Sequence, residues 1–193
     1  MKRLIYVLII FLFISSPSWG REWTLDPNHS VIQFGVKHIF STVAGSFSDF
    51  EGKVQFDPEN LAKSSFDFTV QVKSIDTGNT KRDNHLRSKD FFEASTWPVM
   101  RFKSSKITRG QGNTYLASGT MTLKQTSRTM EIPFVFHGTA PSPFDKKKMV
   151  AGFDSEFDLD RLDFGVGSGK FHKMGVVGRE VRVKISLEAL GAP

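Results

Sequence analysis

Apolar and polar residues alternate along most of the chain, and this period of two predicts half-buried β-strands. The clearest example runs from Phe66 to Ser74, where Phe66, Phe68 and Val70 share one face. Turn-forming residues separate about eight substantial stretches of this kind, a pattern typical of an antiparallel sandwich or barrel. The predicted strands cover residues 23–26, 29–40, 42–56, 66–74, 99–107, 114–124, 130–136, 149–159 and 181–189.

Two glycines inside one long stretch indicate how the strands could close on themselves. Gly45 and Gly52 interrupt residues 42–56, and a glycine within a strand is typical of a bulge or a sharp bend. The apolar residues of this stretch cannot all share one face, and a bulge near Ser48 and Asp49 would resolve the conflict. We therefore predict an all-β fold, an eight-stranded antiparallel barrel of the lipocalin type, in preference to a sandwich.

A charged stretch, residues 74–92, breaks the alternation and predicts a short helical cover segment at one end of the barrel. Thr80 is a candidate N-cap for a helix over Lys81 to Asp90, and Asp83 and Arg87 have the i,i+4 spacing that favours an ion pair. A solvated cover is the simpler interpretation, and the same place suits a ligand entrance. The candidate residues of the cover segment are Asp76, Arg82, Asp83, His85, Leu86, Arg87 and Asp90.

Phenylalanine is unusually frequent, with 19 Phe against 2 Tyr. Phe rings supply large apolar area and no hydrogen-bonding group, so they either fill a core or form a wall that faces an apolar ligand. His38 lies on an apolar strand face, as a hydrogen-bonded core residue or as a contact for the polar head of a lipid. The candidate bore-lining residues are Phe34, Val36, His38, Phe47, Phe66, Phe68, Val70, Met100, Phe102, Met121, Phe134, Phe136, Phe153 and Phe157.

The first twenty residues have the pattern of a secretory signal peptide. Lys2 and Arg3 precede an apolar run from Leu4 to Ile14, and small residues follow up to Gly20. A membrane span needs about 20 apolar residues, so we expect cleavage after Gly20, with cleavage after Ser18 as the alternative.

The remaining residues, 21–193, suit one domain that can bury a substantial core without covalent staples. The chain contains no cysteine. An exported protein without disulfides favours the bacterial periplasm, and secretion stays open.

The charge pattern argues against a nucleic-acid partner. The net charge is +6, and the one lysine run, Lys146 to Lys148, lies in a turn near prolines. A nucleic-acid-binding face combines clustered basic residues with stacking aromatics, and the sequence shows no such combination.

The sequence contains no pattern for catalysis, a metal or a cofactor. Gly167-Ser168-Gly169 does not match a nucleophile motif, and the five histidines are too dispersed for a metal-binding spacing. Asp154, Glu156 and Asp158 alternate on an outward strand face that suits solvent. We therefore expect a protein that is not an enzyme and has no cofactor or metal. An enzyme whose fold gathers its histidines stays an alternative.

Several motifs together give a resemblance to a known family. The central one is Ser74-Ile75-Asp76-Thr77 followed by the run from Arg82 to Phe91, RDNHLRSKDF. The others are His29–Phe34 with Val36–His38, Gly45–Phe47, Phe50–Gly52, Pro98–Ser104, Gly119–Leu123 and Arg161–Gly165. The chain resembles the YceI-like family of exported polyisoprenoid-binding proteins over essentially all of residues 21–193. It departs from the family pattern at Lys124 to Met130, so the hairpin there and the nearby rim are expected to differ.

The resemblance implies an extended lipocalin-like barrel whose apolar bore holds a long isoprenoid or related lipid. The expected function is a periplasmic binding protein for a polyisoprenoid, an isoprenoid quinone or a fatty amide, in transport or storage. Transient membrane contact and a homodimer are further expectations. The alternatives are a lipid- or amide-acting enzyme and a stress-induced protein that binds partners through its outer surface. The family has no agreed catalytic residues to transfer, and the cover-segment signature is interpreted as structural in preference to direct ligand contact.

Overall fold

The computed structural model describes residues 21–193, so the predicted signal peptide lies outside the described residues. Strand segments in the described chain form one antiparallel sheet. They are β1 Glu22–Leu25, β2 Val31–His38, β3 Ser41–Phe47, β4 Phe50–Gln55, β5 Ser65–Gln71, β6 Ile75–Asp76, β7 Val99–Arg109, β8 Thr114–Leu123, β9 Thr126–Pro141, β10 Met149–Asp160 and β11 Val177–Gly191. The helices are α1 Thr80–Arg87 and α2 Lys170–Lys173, with 3-10 turns at Leu61–Lys63, Val72–Ser74 and Arg161–Phe164. No helix within residues 21–193 has the length and apolar character needed to cross a bilayer.

Six of these segments are the halves of three long, interrupted strands. β2 pairs with β3 and β1 pairs with β4, while β5 and β6 pair with β4 and β3 respectively. We therefore count β1 with β2, β3 with β4, and β5 with β6 as one strand each. The strands β7 to β11 follow them in order. Because β11 pairs back to both β1 and β2, eight antiparallel strands close into an up-and-down barrel. The predicted eight-stranded barrel is confirmed, and the sandwich alternative is wrong.

The interruption between β3 and β4 falls at Ser48 and Asp49, the place where the sequence predicted a bulge. Phe47 faces inward before it, and Phe50 and Val54 pack inward after it. The two intervening residues shift the inward set from odd to even positions. Both halves of the strand thus bury their apolar residues, which one regular strand could not do.

The barrel has two ends of different construction. The upper end carries the turn at residues 39–40, the segment 77–98 with α1, the turn at 124–125 and the loop 161–176 with α2. The lower end carries the connections 56–64, 110–113 and 142–148.

Aromatic rings fill the lower half of the barrel. Phe56 is 1% exposed. Its ring centroid lies 5.0–6.1 Å from those of Phe66, Tyr115, Phe134, Phe136 and Phe153. The indole of Trp23 closes the same region, with its Nε1 donating to the carbonyl of Phe56 at 3.1 Å. The interpretation of the Phe excess as a well-filled core therefore holds for this half.

One wall of the barrel is only partly hydrogen-bonded. β9 pairs with β10 from Val135 to Pro141, and the ladder does not continue toward the upper end. The carbonyl of Pro133 points toward β10 and accepts from Ser155 Oγ at 2.6 Å, but proline has no N–H to extend the ladder. Pro133 therefore lies beside a gap that leaves β9 and β10 separated in the upper half.

Candidate apolar binding site

A cavity of about 230 Å³ occupies the upper half of the barrel. Its wall is formed almost entirely by apolar atoms. Twelve of the fourteen residues predicted to line the bore contribute to this wall. They are Phe34, Val36, Phe47, Phe66, Phe68, Val70, Met100, Phe102, Met121, Phe134, Phe153 and Phe157.

The other two predicted residues, His38 and Phe136, do not line the cavity. His38 shares the inward face of Val36, but it is the last residue of β2 and pairs with Ser41 at the rim. Phe136 lies too low, where it packs in the aromatic core 5.2 Å from Phe153. Neither residue lines the cavity, because alternation gives the face of a residue and says nothing of its height along the barrel axis.

Residues of β11 complete the wall that the sequence assigned only in part. The lining also includes Val181, Val183, Ile185 and Leu187 of β11, and Ile32 of β2. The regular alternation of β11 places its valines and Ile185 on the inner face. This pattern was sufficient to add them to the predicted lining residues.

Two aromatic side chains use the glycines of neighbouring strands to stay against the wall. Phe34 stands opposite Gly45 and Phe68 opposite Gly52 in the strand register. A Cβ atom at either glycine would collide with the facing ring. The rings thus occupy the volume that a side chain on the next strand would need, and the centre of the barrel stays open.

Above the cavity, the cover segment contributes three apolar side chains. Leu86 at the end of α1, together with Phe91 and Phe92, lines the upper part of the cavity. Phe91 also stacks on Phe171 of α2, with ring centroids 5.6 Å apart. The segment is therefore the roof of the cavity, which fits its predicted position over one end of the barrel.

The N-cap of α1 is Asn79, so the prediction of Thr80 was wrong by one residue. Asn79 has extended backbone angles, and its side-chain oxygen accepts from the backbone N–H of Arg82 at 3.0 Å. Asparagine is one of the strongest N-cap residues. The helix accordingly begins at Thr80 and ends at Arg87, short of the predicted end at Asp90.

The predicted ion pair between Asp83 and Arg87 does not form, because each side chain binds the segment 73–77 that precedes α1. Asp83 is 5% exposed and accepts from Thr77 N at 3.0 Å and Thr77 Oγ1 at 2.6 Å. Arg87 donates to the carbonyls of Lys73 at 2.9 Å and Ile75 at 2.6 Å. These bonds attach α1 to the strand that leads into it.

The remaining signature residues also hold the segment in place. Arg82 donates from Nε to Thr77 Oγ1 and from Nη2 to the Thr77 carbonyl, both at 2.7 Å. His85 Nε2 lies 3.2 Å from Asp90 Oδ2, and Asp76 accepts from the N–H of Gly78 at 2.7 Å. Among the seven predicted cover residues, Leu86 alone lines the cavity, which supports a structural interpretation of the other six.

Two cations that sequence reasoning left out of the site tie the roof to the opposite loop. Arg161 is 5% exposed and donates to the carbonyls of Val166 and Gly178, each at 2.7 Å. Its burial lowers the pKa of the guanidinium. Lys124 Nζ donates to the carbonyls of Phe91 at 2.9 Å and Gly165 at 3.0 Å. The loop 161–166 and the cover segment thus form one connected roof.

Three of the five histidines within residues 21–193, His29, His85 and His137, lie beside separate carboxylates. His29 Nδ1 lies 2.8 Å from Asp26 Oδ2, and this hydrogen bond raises the pKa of His29 and lowers that of Asp26. With Glu188 they form the one group of potential metal-ligating side chains found within residues 21–193. It contains a single histidine, so the described residues do not show the histidine cluster that the enzyme alternative requires.

These features define a class of protein: an eight-stranded antiparallel barrel with an apolar cavity in one half, a filled core in the other and a helical roof. Residues 23–189 match the model of the YceI-like domain. The chain therefore belongs to the YceI-like domain family, as its motifs indicated.

Known relatives share most of their length with this chain. A UPF0312 protein of Pseudomonas aeruginosa is 29% identical over 182 residues, which is 93% of this chain and 92% of the relative. Protein YceI of Salmonella arizonae is 27% identical over 188 residues, 96% of this chain and 95% of the relative.

Solved structures show the same fold. BcnA of Burkholderia cenocepacia superposes with a TM-score of 0.78 at 29% identity, covering 85% of this chain and 98% of its own. A YceI protein of Campylobacter jejuni gives 0.70 at 28% identity, with 81% and 90% covered. A polyisoprenoid binding domain from Saccharophagus degradans gives 0.64 at 14% identity, with 89% and 98% covered, and shows likeness of fold.

Proposed function

We propose that this protein binds a long-chain lipid, a polyisoprenoid or a chain of similar character such as an isoprenoid quinone or fatty amide, in the cavity under the cover segment. The observation that carries the proposal is a barrel interior whose free space is bounded almost only by apolar atoms. A structural relative from Saccharophagus degradans is described as a polyisoprenoid binding domain, and membership of the YceI-like family adds support.

The driving force would be the removal of hydrocarbon from water. Apolar surface contributes about 25 cal/mol per Å² when it is buried, and the loss of ligand freedom on association opposes part of this gain. A wall with almost no polar atoms cannot satisfy a buried head group. The tail would therefore lie inside and the head at the upper end.

The predicted leader sequence and the absence of cysteine support a location in the periplasm. There the protein would carry or store a lipid between membranes. Binding alone accounts for the cavity, so the proposal includes no reaction, cofactor or metal.

Mass spectrometry of organic extracts tests the proposal most directly. Protein purified from its native compartment should release a long-chain lipid in a fixed molar ratio. Protein from that compartment with no extractable lipid, and with no uptake of added polyisoprenoid, would count against a carrier.

A pair of neighbouring substitutions tests where the lipid lies. Phe68→Asp puts a charge into the cavity wall and should abolish lipid retention, since an unpaired carboxylate is costly in an apolar site. Thr69→Asp, the adjacent residue on the outward face, should retain lipid like the wild type.

Folding must be verified for each variant by circular dichroism. If Phe68→Asp does not fold, Val183→Trp provides the same test, because its indole would occupy the cavity without introducing a charge. Unchanged lipid content in a folded cavity variant would show that the lipid is bound elsewhere.

A further inference from the structure

Two adjacent apolar side chains project into solvent at the upper end of the barrel. Phe40 is 93% exposed and Ile39 is 49% exposed in the turn between β2 and β3. Ile39 has φ +51°, a conformation that a β-branched residue rarely adopts and that Asn or Gly would accept more easily. An exposed apolar residue in a strained conformation indicates a role other than folding.

A third exposed apolar residue lies on the neighbouring element. Met174 follows α2 and is 62% exposed. The backbone N–H of Ile39 donates to the carbonyl of Val176 at 3.1 Å, and His38 pairs with Val177. The turn and the end of the α2 loop are therefore side by side, and the upper rim presents apolar groups from two separate parts of the chain.

The two segments that form this rim carry only positive charges. Residues 31–48 and 164–179 contain no Asp or Glu, and they include Lys37, Lys170, Lys173 and Arg179. Of the carboxylates near these segments, Asp90 lies beside His85, Glu93 beside Lys124 and Asp160 beside Arg179. Asp163 and Glu180 border the second segment. Lys37 Nζ donates to the backbone carbonyl of Phe40 at 3.0 Å, which places its charge at the turn that carries the exposed ring.

We propose that this rim, formed by Ile39, Phe40 and Met174 with Lys37, Lys170 and Lys173, docks on a bilayer surface that contains anionic phospholipid. The apolar side chains would enter the headgroup region, while the lysines bind anionic headgroups. Their long apolar stems allow them to stay at the interface. The docking itself is independent of the cavity. Its use for lipid exchange rests on the proposed function, because the rim borders the end at which the cavity is roofed.

The lower end offers a comparison that favours this choice. Phe144 is 94% exposed and lies near Lys146 to Lys148. It is a single apolar side chain, the adjacent Asp145 lies 3.9 Å from Lys148, and the barrel behind it is filled with aromatic rings. Phe144 therefore serves as a matched control for Phe40, with nearly equal exposure at the opposite end.

Vesicle flotation of the exported protein tests the proposal. The protein should float with phosphatidylcholine vesicles that contain phosphatidylglycerol at low salt, and less with pure phosphatidylcholine or at high salt. Phe40→Ser should weaken partition by about tenfold or more. Lys170→Gln combined with Lys173→Gln should weaken it by a similar factor on anionic vesicles only. Phe144→Ser should leave it unchanged.

Three results would overturn the proposal. The first is an equal effect of Phe40→Ser and Phe144→Ser, and the second is wild-type flotation that does not depend on anionic lipid. The third is a wild-type dimer that Phe40→Ser converts to a monomer without any vesicle binding, which would make the rim an interface between two copies. Phe68→Asp should still float, and Phe40→Ser should still retain lipid, so failure of docking and failure of the cavity are distinguishable.

Discussion

Ile39 and Lys124 share one backbone conformation, with φ +51° in both, and they differ in what their side chains contact. Each lies in a two-residue turn at the upper end. Lys124 is held by two carbonyl oxygens in the roof. The Ile39 side chain is largely in solvent, so its strain is not offset by buried packing.

We predict that Ile39→Asn stabilises the protein by about 1 kcal/mol, because Asn tolerates positive φ and the exposed side chain loses little packing. Lys124→Asn, the matched change, should instead lower the free energy of unfolding by about 1–3 kcal/mol, since the carbonyls of Phe91 and Gly165 lose a charged donor. Urea unfolding measures both. A loss of stability in Ile39→Asn would show that the turn depends on contacts of the isoleucine side chain.

Asp83 gives a second prediction at the scale of one residue. Asp83→Ala should destabilise the protein by about 2–3 kcal/mol, because the partly buried Thr77 N–H and hydroxyl lose a charged acceptor. Asp76→Ala removes one exposed hydrogen bond to Gly78 and should cost at most about 1 kcal/mol. Equal losses in the two variants, measured by urea unfolding, would contradict the role assigned to Asp83.

At the scale of residues, the sequence predicted correctly which face of the sheet most side chains occupy. It did not predict their height along the barrel axis. Alternation placed Phe34, Phe68 and most other lining residues on the inner side, where the structure has them. It also placed His38 and Phe136 there, but one ends at the rim and the other lies in the filled half. The height of a residue depends on the stagger between strands, which local periodicity does not contain.

At the scale of elements, Asp67 and Arg101 join β5 to β7 on the outer face. Arg101 donates to the two carboxylate oxygens at 2.8 and 2.6 Å. This hydrogen bonding lowers the pKa of Asp67 below its usual 3.8. Because the folded-state pKa is depressed, the stabilisation is fully present above the unfolded pKa and is lost as the pH falls through the folded-state value.

We therefore expect Asp67→Asn to be less stable than the wild type at neutral pH, by at most about 1 kcal/mol, since the pair is partly exposed and screened by solvent. The difference should shrink below about pH 4. Urea unfolding across a pH series checks this, and high salt should reduce the difference at neutral pH. A difference that stays constant down to acid pH would assign the effect to packing.

The break between β3 and β4 and the start of α1 show which local signals predict an irregular element. The break at Ser48 and Asp49 was predictable because the burial of Phe47 and Val54 conflicts with a regular strand. The start of α1 was displaced by one residue because Asn79 and Thr80 are both good N-caps. The partner of Asp83 was not predictable either, since Thr77 reaches it only once the chain has turned after β6.

At the scale of the whole molecule, the main features are the closure of the barrel and the gap between β9 and β10. The number of strands and their internal glycines predicted the closed barrel. The gap depends on a ladder that ends near Pro133, and a proline alone does not fix how far two strands separate. Nor does composition divide the phenylalanines between a filled half and a hollow half.

Hydrogen exchange should reveal the gap. Amides of β10 that face β9 should exchange faster from Ser155 to Asp160 than from Met149 to Asp154, where the ladder is formed. Amides of the same strand that face β11 provide the control, because that ladder runs along all of β10. NMR measures the exchange of each amide. Equal protection of the β9-facing amides in both halves of β10 would contradict an open wall.

The aromatic plug in the lower half also governs the kinetics of any exchange. A tail held above Phe56 has no exit below it, so a second molecule cannot push the first one through. The resident lipid must depart before its successor arrives, and turnover would then follow a dissociative rate law. The speed of replacement would be independent of the concentration of the incoming lipid and would be set by how fast the resident lipid leaves the upper half.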